Sequence, residues 1–217
     1  MNCQNERIMN TSQRIWNPSL MLLKVVANDS KTIEQYICPE SALERTIVQD
    51  ERWQEGAFWG EPRPGHPEGK VIYHIHEVLE NVDKATNDPR LRQQLRLVTI
   101  LHDTFKHLEE QTRPRTDWSK HHAILALSFA KLYIDDQAVL DVIELHDEAY
   151  YAWRDYVAGH TERSNARLQC LEERLDATAL QLFYLFFKCD TQTGDKYQCP
   201  IAWFENVMQD KIVLTNF

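Results

Sequence analysis

Residues 91–107 read LRQQLRLVTILHDTFKH. Leu91, Leu95 and Val98 recur at the spacing of one helix face, and residues 97–101 are apolar almost all round, which predicts a helix whose C-terminal end is deeply buried. His102 extends that face by a further turn, and Asp103 follows it directly. An imidazole and a carboxylate therefore stand where the surrounding pattern calls for apolar side chains.

Helical spacing continues in both directions. Upstream, Val71, Ile75, Val78, Leu79 and Val82 mark a helix that ends before the breaker Asn87-Asp88-Pro89. Downstream, a polar interruption over residues 111–119 precedes an apolar helical segment from about 120 to 133, and Asp135-Asp136 can cap another running to about Trp153. Gly159 separates that from a long helical stretch over residues 161–188, and Pro200 opens a short final helix. The segment GAFWGEPRPGHPEG, residues 56–69, holds four of the six glycines and three prolines, and so reads as a long loop. Residues 1–54 have irregular polarity, with one helix expected over about 40–54, started by Pro39. No stretch alternates like a strand, and no internal repeat is present. The expected fold is all-α, with at least five helices around one core in residues 55–217 and an N-terminal segment, 1–54, packed on that domain.

Composition agrees with a folded domain and narrows its chemistry. The chain has 217 residues, 43% of them hydrophobic, and a formal charge of −9. An acidic chain without a lysine-arginine run leaves little attraction for a nucleic-acid polymer, although a local site can still be positive enough for a small phosphorylated substrate. The longest uncharged stretch, residues 177–187, is too short to cross a hydrocarbon core, which needs roughly 20 residues, so no membrane partner is expected. The start, MNCQNERIMN, lacks the apolar run of a secretory signal, and a cytoplasmic location is expected. Five cysteines (Cys3, Cys38, Cys170, Cys189, Cys199) without a C-x-x-C pair argue against a disulfide framework or thiolate zinc site, and are expected to be buried or inert.

At about 100° per residue, other polar groups also fall on apolar faces. His122 shares a face with Ala126, Phe129 and Tyr133; His146 lies among Val139, Ile143 and Tyr150; Asp190 continues Phe183 and Phe186. His74 sits at the edge of its helix's stripe. One such histidine is most often a core residue bonded to a carbonyl. A buried carboxylate is harder to dismiss, because an ionised group in a dry core costs several kcal/mol unless paired. A metal ion would pair it.

The pair His102-Asp103 in LVTILHDTFKH, with His74 before it and Asp190 far behind, resembles the H…HD…D pattern of the HD-domain superfamily of metal-dependent phosphohydrolases. GHPEGKVIYHIHEVL is similar to the entry of the HD-type domain in some bacterial tRNA nucleotidyltransferases, where a histidine after the HPEG loop is the first ligand; that role falls on His74, with His76 the weaker alternative. The resemblance spans residues 65–196 and includes Lys106, in the H-D-x-x-K variant of some members. No nucleotidyltransferase catalytic domain precedes it, and the G-Y-P signature of the cyclic-dinucleotide phosphodiesterase branch is lacking; His146-Asp147 stands where that branch has paired histidines. Members with two metals insert two histidines between HD and the last aspartate. His122 and His146 match them, with His121 as an alternative to His122 about 100° away.

The resemblance implies an HD-type helical bundle with one metal held by His74, His102, Asp103 and Asp190. Asp103 would bridge to a second metal held by His122 and His146. Imidazole and carboxylate without thiolate suit Mn, Fe, Co, Ni or Zn, one or two ions. The metal would polarise a phosphoryl oxygen and lower the pKa of bound water, with Asp103 central to catalysis and Lys106 holding a phosphate oxygen as a point charge. The expected function is hydrolysis of a small phosphoester such as a nucleotide. The alternatives are a di-iron oxygenase, because the six-ligand set resembles myo-inositol oxygenase and the phosphonate-cleaving oxygenases, and a non-catalytic binding module. Trp53, Phe58 and Trp59 can close over a flat substrate or serve packing, Arg154 is a candidate anion contact, and a homo-oligomer is compatible with the sequence.

Overall fold

A computed structural model describes residues 32–114 and 117–217. They form an all-helical bundle; among them there is no strand, only an isolated bridge between Arg63 and His66. The helices are α1 (Ala42–Gln49), α2 (Glu51–Ala57), α3 (Val71–Ala85), α4 (Pro89–Leu101), α5 (Lys106–Gln111), α6 (His122–Ala130), α7 (Gln137–Leu145), α8 (Glu148–Val157), α9 (Thr161–Arg174), α10 (Ala177–Thr191) and α11 (Cys199–Met208), with a 3₁₀ turn at Trp118–Lys120. α10 is the axis. Its side chains are apolar almost all round because it packs against α3, α4 and α7 together, and α4 in turn lies against α3 and α7. These four helices supply or adjoin five of the six expected metal ligands, His74, His102, Asp103, His146 and Asp190.

Local chemistry explains where the elements begin. Asp88 accepts from the Leu91 amide and Pro89 follows at the first turn, so α4 starts at the expected breaker. Asp136 caps α7 through the Ala138 and Val139 amides. The single helix expected over 40–54 is two. Ser41, not Pro39, caps the first, and Asp50 stops it and caps the next by accepting from the Arg52 amide. Similarly, the stretch 161–188 divides at Leu175 and Asp176, where Asp176 accepts from the Ala179 amide and starts α10 afresh. The helix expected to run to Trp153 breaks at His146-Asp147.

The glycine-rich loop begins at Phe58 rather than Gly56, which belongs to α2. A β-carbon on Gly56 would meet the Thr104 carbonyl oxygen at 1.7 Å, so glycine permits α2 to lie directly on the turn that follows His102-Asp103. Trp53 is fully buried and donates Nε1–H to the Ile100 carbonyl at 2.9 Å, which makes it a core residue, the packing alternative of the two the sequence offered. Ile33, Ile37, Ile47 and Val48 join the same core as the other helices. The expected boundary at 54/55 thus falls inside α2; residues 1–31 of the N-terminal segment, Cys3 included, lie outside the described residues. Cys189 is buried, whereas Cys38 and Cys199 are exposed, Cys38 in a connection and Cys199 at the first turn of α11. No described helix is long and apolar enough to cross a membrane.

Candidate metal centre

α4 and α7 end in the same way. His102 follows the last residue of α4 and His146 the last residue of α7, each is the C-terminal cap, and each is followed by an aspartate. The final carbonyls of a helix lack backbone partners. His102 Nδ1–H donates to Thr99 O at 2.9 Å and His146 Nδ1–H to Ile143 O at 2.8 Å. That bond holds a proton on Nδ1 and turns each Nε2 toward the centre of the bundle.

Around these two rings the expected residues gather in two sets. His74, His102 and Asp190 form one, Asp103, His122 and His146 the other, and within each the donor atoms lie within 4.8 Å of one another. Asp103 joins them by dividing its carboxylate. Oδ2 lies 3.4 Å from His102 Nε2 and 3.8 Å from His74 Nε2, whereas Oδ1 lies 3.5 Å from His122 Nε2 and 3.7 Å from His146 Nε2. Asp190, on the last turns of α10, places Oδ1 2.8 Å from His74 Nε2 and 3.8 Å from His102 Nε2. Every one of these six side chains except Asp190 is almost wholly inaccessible to solvent.

Two details fit a cation rather than ordinary core histidines. His102 Nε2 is buried without a hydrogen-bond partner. His122 donates Nδ1–H to Glu109 Oε2 at 2.5 Å, so its Nε2 also carries a lone pair, and that atom lies 3.1 Å from His146 Nε2. That approach needs one positive charge between the two atoms, either a proton on the His146 ring or a metal ion in its place. The carboxylates supply the field for one. Burial alone would lower the His146 pKa, but Asp147 and Asp103 outweigh it and push the ring up to about 9. Burial dominates at His74 and holds it down at about 4, the neutral form that a metal ligand requires. Burial opposes ionisation of Asp103, yet His102 and Lys106 keep its carboxyl well below the usual range.

The alternatives in the sequence separate cleanly. His76 turns away from the cluster and donates Nδ1–H to Tyr36 O at 2.8 Å. His121 is the cap of α6: Nδ1 accepts from the Ala123 amide, so its proton is on Nε2, 3.1 Å from the Tyr151 hydroxyl. His122, not His121, enters the cluster. Lys106 is no solvated helix-end lysine, since Nζ donates to Asp103 Oδ2 at 2.5 Å. Phe58 and Trp59 are partly buried against the core.

Four further residues belong to the arrangement. Asp147 Oδ2 lies 3.3 Å from His122 Nε2 and 3.7 Å from His146 Nε2. Glu109 orients His122, Glu68 Oε1 lies 3.5 Å from His74 Nδ1, and Lys196 Nζ donates to Asp190 Oδ1 at 2.9 Å. Asp147 was signalled by the second His-Asp step in the sequence. Glu68 lies in the HPEG loop of the resemblance, though no role was read for it; nothing in the pattern marks Glu109 or Lys196, whose roles come from tertiary approach alone.

A cleft of about 480 Å³ reaches the centre, lined by Asp103, Lys106, Asp147 and Lys196 together with Tyr150 and Trp153. Buried His and Asp donors assembled in this way are consistent with a bound metal ion, of unassigned identity. Compared with known proteins, the chain matches no family model, no curated protein and no solved structure.

Proposed function

We propose that the chain is a metal-dependent phosphohydrolase of HD type, acting on a small phosphoester from a dinuclear centre. The observation that carries this reading is the divided carboxylate of Asp103, with one oxygen turned to each set of histidines. His74, His102 and Asp190 would hold one ion, His122 and His146 the other, with Asp103 common to both. Bound there, divalent ions supply Lewis acidity toward a phosphoryl oxygen and a water of lowered pKa.

The chain's own groups account for the rest. Lys106 and Lys196, each tied to a carboxylate of the cluster, present two ammonium groups in the cleft to carry charge on non-bridging phosphate oxygens. Asp147 keeps its carboxyl ionised: burial opposes this, but His146 and His122 outweigh it. It can therefore accept the hydrogen bond that orients an attacking water. Tyr150 and Trp153 present apolar surface beside these groups, suited to an aromatic or sugar-bearing alcohol. In the reaction the water oxygen bonds to phosphorus, the ester P–O bond breaks, and the departing alkoxide takes up the proton that water gives up.

The test is phosphate release from p-nitrophenyl phosphate and a panel of nucleotides with added Mn²⁺, comparing the native chain with Asp103→Ala. Release by the native chain and a loss of at least about a thousandfold in the variant are expected, a little over 4 kcal/mol of transition-state stabilisation. Equal turnover by the two proteins would overturn the reading. Iron-dependent oxygen consumption without phosphate release would replace it with the oxygenase chemistry that the same ligand pattern resembles.

A further inference from the structure

A second cleft, of about 610 Å³, is lined by His122 and shares Lys106, Asp147, His66 and Tyr150 with the first. Both chambers therefore meet at one centre, but their outer walls differ. The second carries Arg63, Arg113 and Arg154. Arg113 is paired with Glu110 at 3.0 Å, and Glu109 is committed to His122. Arg63 and Arg154 have no ion-pair partner among the described residues. Each instead lies over an aromatic ring, Arg63 on Trp59 and Arg154 on Tyr150, both at 5.9 Å.

Arg63 also donates Nη1–H to the Glu61 carbonyl at 3.4 Å, and a guanidinium beside a ring keeps the rest of its planar fork of donors for a ligand. Two such pairs, one from the loop before α3 and one from α8, line one chamber. Arg154 follows Asp147 by about two turns of α8, roughly 10 Å along the helix axis. Arg63 and Arg154 line this chamber and not the first, whereas Lys196 lines only the first and Lys106 both, so a group held by the arginines sits in the chamber next to a phosphate held at Lys106 and Lys196, as a second phosphate on a nucleoside or sugar would. Bidentate recognition of phosphate is the chemistry for which arginine is best suited.

Resting on the phosphohydrolase reading above, we propose that this chamber binds a second phosphate group of the ligand, with Arg63 and Arg154 as its anchors, so that the preferred substrates are bisphosphorylated small molecules. The selectivity then comes from the Arg63–Arg154 chamber, and the bond broken remains the ester at Asp103.

The probes are adenosine 5′-monophosphate and adenosine 3′,5′-bisphosphate. Each is titrated by calorimetry into the Mn²⁺-loaded full chain and into the Arg63→Gln, Arg154→Gln double variant, with phosphate release followed in parallel. The native chain is expected to bind the bisphosphate at least about tenfold more tightly, as one or two charge-assisted contacts would give. In the double variant that preference should fall to near unity. Equal affinities in the native chain, or no binding of either probe, would overturn the proposal, as would a preference that survives in the double variant. If the preference is present and arginine-dependent but no phosphate is released, the chamber stands and the hydrolase reading falls.

Discussion

Asp103 has five charged or ligating neighbours and only two oxygens, and it resolves the competition by turning one oxygen to each half of the cluster. His122 depends on Glu109 in the same way that a ligating histidine depends on its outer carboxylate: the 2.5 Å bond at Nδ1 keeps the proton there and the Nε2 lone pair inward. Glu109→Gln should therefore weaken metal binding about 10–100-fold without unfolding the chain, as measured by competition with a chromogenic chelator. An unchanged affinity would remove Glu109 from the site. His102, His122, His146 and Asp190 were legible in the sequence because each falls on an apolar helical face, where a polar side chain needs a reason, and Asp103 because it follows His102 at a buried helix end. Glu109 and Lys196 were not legible, since a charged residue on a polar stretch looks the same whether it meets solvent or a neighbouring helix. His74, at the edge of its stripe, was distinguished from His76 only through the HPEG resemblance; in the structure the difference is burial beside Asp190.

At the scale of elements, starts were easier to read than stops. Asp88-Pro89 and Asp136 act as the sequence leads one to expect. The stops at His102 and His146 carry no glycine, and the orphan carbonyls there are met by imidazole Nδ1–H instead, so the break after α7 had no conventional signal. Asp50 was missed for a related reason: it reads as one polar position in a continuous helix, yet it caps α2, binds Arg52 through both oxygens and accepts the Tyr133 hydroxyl at 2.6 Å. The bond from Arg52 chiefly, with Tyr133 adding to it, holds its pKa below the usual carboxylate value against a smaller effect of burial. Asp50→Ala should cost about 1 kcal/mol at neutral pH, the usual value of a lost cap. A depressed folded-state pKa gives stability that is present above the unfolded value, about 3.9, and is lost as pH falls further toward the folded one. The native-minus-variant difference in urea denaturation should therefore be constant from pH 7 to about 5 and shrink below pH 4. A difference that grew in acid would contradict the assignment.

Across the whole molecule, one core includes residues from Ile33 to Ile212, and α10 carries both its centre and Asp190. The all-α class and the helices flanking the site followed from periodicity, because each buries one face in the common core. The pairing of helices, the split of the cleft into two chambers and the packing of α2 on Thr104 did not, since they depend on which faces meet. Because metal would bind only the folded chain, it should raise stability by about 3–4 kcal/mol when present at 100 to 1,000 times its dissociation constant. For a chain of this size, thermal unfolding should then fall by roughly 5–15 °C when a chelator is added. No change would mean that the buried cluster is stable without an ion. The most direct test of a centre joined by Asp103 is the metal content of the Mn²⁺-loaded, desalted chain, native against Asp103→Asn, which preserves side-chain volume. Two ions per native chain, with loss of at least one in a variant that remains helical, is the expected result; no bound metal in the native chain, or the same stoichiometry in both, would contradict it.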